Sequence, residues 1–67
     1  MSPDKLAYMA NQIGNFFSHQ PHDKAVAAIA DHLDKFWDPR MRRDILAHQD
    51  AMPLDPLVKE AVRQLRS

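Results

Sequence analysis

Three dipeptides of one chemistry govern what this chain can fold into: Ser2-Pro3, Asp38-Pro39 and Asp55-Pro56. In each, a side chain able to accept hydrogen bonds from a helix's first free N–H groups precedes a proline. Proline fits the first helical position, because its missing N–H would have had no helical partner there. Each dipeptide therefore starts a helix. Asp38-Pro39 also ends one, since a proline disfavours helical backbone in the residue before it. A helix reaching Trp37 stops at Asp38, and the next begins at once. A fourth start near Pro21 is less marked, Gln20 being a poor cap. With a single glycine and many alanines, the composition favours helix between these marks. The sequence predicts four helices over roughly 3–18, 21–37, 39–50 and 56–66. The fold class is all-α, a small bundle forming one helical domain over residues 1–67.

Apolar spacing arranges these helices. In the first, Leu6, Met9, Ala10, Ile13, Phe16 and Phe17 fall within about 120° of arc at 100° per residue. In the second, Val26, Ile29, Ala30, Leu33, Phe36 and Trp37 do the same. The two stripes run in step: Leu6 to Ile13 matches Val26 to Leu33, and Phe16-Phe17 matches Phe36-Trp37. Joined by a short turn at His19-Gln20-Pro21, they are expected to form an antiparallel αα-hairpin with one core between them. In the third helix Met41, Ile45 and Met52 share a face with His48. Leu46 points roughly 140° away from Met41, among Arg42, Arg43 and Asp50. In the fourth, Leu57, Val58, Ala61, Val62 and Leu65 form an apolar side led in by Leu54, and Pro53 keeps the preceding connection non-helical. Tyr8, roughly 200° from Leu6, and Leu46 are expected to lie exposed.

A chain of 67 residues buries only about 60% of the surface its unfolded form exposes. Without cysteine it has neither disulfides nor thiolate metal sites, so a partner chain is the natural reinforcement. Nine basic and nine acidic residues cancel, which argues against nucleic-acid and membrane-surface binding. No apolar run approaches the ~18 residues of a membrane span, and the start does not read as a signal peptide. A cytoplasmic location is expected. His19 and His22 are three residues apart while His32 and His48 are distant, and no metal-binding pattern joins them. No catalytic, cofactor-binding or metal-ligating residue is expected. Asp23, Asp31, Asp34 and Asp38 read as a solvated face, with Asp31 and Lys35 spaced for an i, i+4 pair.

The arginines stand out. Arg40, Arg42 and Arg43 crowd the first turn and a half after Asp38, where each cation opposes the helix dipole at a cost of roughly 0.3–1 kcal/mol. Breaking a local rule can mark function, and arginine forks suit carboxylate or phosphate on a partner. The competing reading pairs them with Asp34, Asp38 or Asp44 inside the chain. The expected partner-binding set is Tyr8, Trp37, Arg40, Arg42, Arg43 and Leu46, with Trp37 completing the apolar stripe and bracing the corner from behind.

Three segments carry a resemblance: Met9-Ala10-Asn11-Gln12-Ile13, the run from His32 to Arg42, and Leu54-Asp55-Pro56-Leu57-Val58. The string Phe36-Trp37-Asp38-Pro39-Arg40-Met41-Arg42 is the most specific, since no generic helix pattern demands it. On these residues the chain, from Pro3 to about Val62, resembles the delta subunit of NAD-dependent formate dehydrogenase. The resemblance implies a small non-catalytic accessory subunit or maturation factor of a cytoplasmic, molybdenum-containing enzyme, bound to its alpha subunit. It implies no cofactor on this chain: the alpha subunit carries molybdopterin guanine dinucleotide and iron–sulfur clusters, and FMN and NAD chemistry belong to other subunits. Without the resemblance, the alternative is a small regulatory helical domain acting as a homodimer or nucleic-acid binder. Zero net charge counts against nucleic acid.

Overall fold

All three proline dipeptides start helices. The computed structural model describes residues 2–65 and contains α1 (Pro3–Phe17), α2 (His22–Phe36), α3 (Pro39–His48) and α4 (Pro56–Gln64), with no strand among the described residues. The expected end of the fourth helix at residue 66 lies outside the described residues. Ser2 Oγ accepts a hydrogen bond from the Lys5 N–H at 3.3 Å. Asp38 Oδ1 accepts one from the Met41 N–H at 2.8 Å. Asp55 has the extended backbone of an N-cap, but its carboxylate makes no capping bond. Its N–H is held from across the fold by Asn11 Oδ1 at 2.9 Å. Asn11 also donates from Nδ2 to the Pro53 carbonyl at 2.9 Å. One amide on α1 thus fixes both ends of the chain's entry into α4.

The core differs from the predicted seam between the first two helices. Leu6, Ala7 and Ala10 of α1, Val26, Ile29 and Leu33 of α2, Ile45 of α3, and Val58, Ala61 and Val62 of α4 form one buried cluster, closed by Trp37, Met52 and Leu65. α2 packs most extensively against α4. α4 also approaches α1 closely at Gly14, where a Cβ would collide with Val58 Cγ2. Close approach of two axes selects small residues, and α1 meets it by turning Ala7, Ala10 and Gly14 inward. The buried arc of α1 is therefore centred roughly 70° round from the stripe of large residues.

That rotation accounts for the first of two failed expectations. Phe16 and Phe36 were expected in the core and are 72% and 73% exposed. Phe36 is the last residue of α2, and the backbone turns extended at Trp37, with φ −86° and ψ 140°. Trp37, at 5% exposure, takes the inward place. Tyr8 is 64% exposed, as expected. Leu46, expected on the outside, is half-buried against the core. The inward arc of α3 includes Arg42, Ile45 and Gln49, all buried or half-buried, and Leu46 lies on its margin, whereas His48, expected beside Met41 and Ile45, is exposed.

Candidate functional site

The displaced phenylalanines flank a groove between α1 and α2. It encloses about 520 Å³, with Met9, Ile13, Phe16 and Phe17 on the α1 side and His32, Phe36 and Trp37 on the α2 side. Its rings meet edge to face at two contacts and tilted at a third. Phe16 and Phe17 meet at 5.1 Å between centroids and 88° between planes. His32 lies between the two helices' aromatics, 6.2 Å from Phe17 and 4.7 Å from Phe36. Such offset geometries suit the negative ring face and positive ring edge of aromatic groups. Gln12 completes the α1 bank. Its Nε2 donates to the Tyr8 hydroxyl at 2.7 Å, so Tyr8, Gln12 and Phe16 follow one another along one helix flank.

The arginine corner adjoins this groove through Trp37, which lines it and whose carbonyl accepts from Arg42 Nη1. The same nitrogen donates to the Asp34 carbonyl at 3.0 Å. Carbonyls in the last turn of a helix lack intrahelical partners. The chain leaves the helix at Trp37, and the Arg42 guanidinium supplies the missing donor with a charge that suits the helix's negative end. Arg42 is therefore the terminal clamp of α2. The N-terminal N–H groups of α3 are likewise served by Asp38, so the anion favoured at that helix start is already in place. Arg40 and Arg43 are exposed and make no ion pair among the described residues. The three ion pairs formed there are Lys35 with Asp31 at 3.2 Å, His22 with Glu60 at 2.7 Å and Lys59 with Asp50 at 3.7 Å.

Of the six residues singled out from the sequence, the structure leaves Tyr8, Arg40 and Arg43 exposed, turns Arg42 and Leu46 partly inward and buries Trp37. Phe16, Phe36 and His32 were missed. For Phe16 the signal was its adjacency with Phe17, since two neighbouring helical residues cannot share one narrow core face; for Phe36 it was the Asp38-Pro39 stop, which takes Trp37 out of the helix. Among the described residues no group of three histidines or carboxylates could hold a metal ion, and no helix is long and apolar enough to cross a membrane.

No curated protein and no solved structure matches the chain. A family model described as NADH-dependent formate dehydrogenase delta subunit FdsD matches residues 5–62. That span contains both banks of the groove, the arginine corner and the Asn11 clamp. The chain belongs to the delta-subunit family of NAD-dependent formate dehydrogenase, and is a subunit of that oxidoreductase complex.

Proposed function

We propose that this chain is a non-catalytic accessory subunit or maturation factor that binds the alpha subunit of a molybdenum-containing formate dehydrogenase, and that it docks through the aromatic groove. The observation that carries this reading is the exposure of Phe16 and Phe36, at 72% and 73%, on opposite banks of one trough. Exposed aromatic groups beside a concave apolar surface are the anchors of protein interfaces, each worth about 2 kcal/mol or more when enclosed. Tyr8 extends the same face. Arg40 and Arg43 lie beyond Trp37 as rim charges, which steer and orient a partner more than they hold it. Trp37 contributes the groove's inner wall, and Arg42 and Leu46 support the face from within.

The test is co-purification of the Phe16→Gln and Phe36→Gln variants with the alpha subunit. Because both side chains are solvent-exposed, circular dichroism should show an intact helical fold. Binding should weaken at least ten-fold for the double variant. Undiminished co-purification would remove the groove from the interface.

A further inference from the structure

The groove has one ionisable side chain in its wall, and that side chain lies between its aromatic rings. The α1 bank consists of Met9, Gln12, Ile13, Phe16 and Phe17, none of which titrates as an acid or base near neutrality. On the α2 side the remaining wall is Phe36 and Trp37. No residue of α3 or α4 reaches it. The charged neighbours of His32 on its own helix, Asp31 and Lys35, are exposed and occupied with each other at 3.2 Å. His32 itself is half-buried, with its ring 4.7 Å from Phe36 and 6.2 Å from Phe17, and no carboxylate pairs with it among the described residues.

Resting on the docking reading above, we propose that the groove accepts an uncharged, apolar segment of the alpha subunit only while His32 is neutral, so that acidification releases the subunit. An occupant complementary to this wall has no charge to offer, because the wall has none to meet. Histidine is the side chain whose charge changes between pH 5 and 8. In the free chain a protonated His32, half-buried beside the Phe17 and Phe36 rings, keeps part of its hydration. Once an apolar segment closes the groove, the hydration is lost and the ring contacts do not replace it. Docking and protonation therefore oppose each other, and binding releases a proton whenever His32 starts out charged.

The experiment measures binding of the full chain to a formate dehydrogenase complex prepared without it, at pH 7.5 and pH 5.5, for the parent, His32→Gln and Phe36→Gln. Titrating groups on the partner act on all three chains alike, so the readout is the difference between the pH profiles. The parent should lose roughly ten-fold more affinity than His32→Gln over this interval. Parallel profiles for parent and His32→Gln overturn the pH dependence and leave docking at the groove standing. Parent-like binding of Phe36→Gln at pH 7.5 overturns the docking reading, and the pH dependence with it. Circular dichroism at both pH values separates a lost interface from a lost fold, and acid unfolding of the parent chain alone also overturns the proposal.

Discussion

Gly14 on α1 and Val58 on α4 lie so close that a single methyl group added to Gly14 would overlap Val58 Cγ2. Alanine is the better helix former by about 1 kcal/mol, so helix propensity alone says Gly14→Ala stabilises. Overpacking costs about 1–3 kcal/mol, and here it meets a residue of the core centre. Gly14→Ala should therefore destabilise the chain, read as a lower midpoint in urea. Combined with Val58→Ala it should show a favourable coupling, because the second change removes the colliding atom. Strict additivity of the two effects would remove the close approach as their cause.

Leu33 and Phe36 are one helical turn apart, yet one is fully buried and the other is 73% exposed. Leu33→Ala should cost about 2–5 kcal/mol, enough to unfold much of so small a chain. Phe36→Ala should stay within about 0.5 kcal/mol of the parent, as surface substitutions do. Thermal melts of the two variants decide between this core and one in which both aromatic pairs are interior.

The three arginines should separate cleanly. Arg42→Ala removes the charged donor to the Asp34 and Trp37 carbonyls and should cost about 1–3 kcal/mol. Arg42→Lys should recover only part of this, since an ammonium lacks the planar fork. Arg40→Ala and Arg43→Ala remove cations from an unfavourable helix end and should be neutral or slightly stabilising. Equal losses at all three positions in chemical denaturation would contradict the clamp.

Asn11 offers a test of the tie between α1 and the entry to α4. Its amide both accepts from the Asp55 N–H and donates to the Pro53 carbonyl. Asn11→Asp keeps the acceptor, loses the donor and sets a carboxylate against a carbonyl, so it should destabilise by about 1–3 kcal/mol. Hydrogen exchange at the Asp55 amide should accelerate in Asn11→Ala. Protection at parental levels there would mean that α4 is held by its apolar face alone.

What was legible in the sequence was what is decided locally. Ser2, Asp38 and their prolines specify helix starts within four residues, and the structure keeps each. The orientation of each helix about its own axis was not decided locally. α1 carries both a stripe of large residues and a stripe of small ones, Ala7, Ala10 and Gly14. Which of them faces inward depends on how near α4 comes, a fact held jointly with Val58, far along the chain. The α1 bank of the aromatic groove is the remainder of that choice, so it was missed for the same reason. Arg42 was noticed for its unfavourable place at the start of α3. Its compensation lies at the end of α2, which no reading of α3 alone could supply.

The corner between α2 and α3 also has a consequence for chain length. Only Trp37 and Asp38 separate the two helices, and each helix end is finished by a side chain from this short stretch or from across it. One residue inserted between Pro39 and Arg42 would swing Arg42 by about 100° around α3, away from the carbonyls it serves, and one inserted ahead of Pro39 would uncouple Asp38 from Pro39 or Trp37 from the core. The exposed turn from Ser18 to Pro21 has no such cross-bracing; the N–H of Gln20 simply returns to the Phe17 carbonyl at 3.1 Å. Insertions that lengthen this turn should leave the protein folded, while a single alanine added at the corner should not. The chain is thus gauged to the residue at one bend and forgiving at the other.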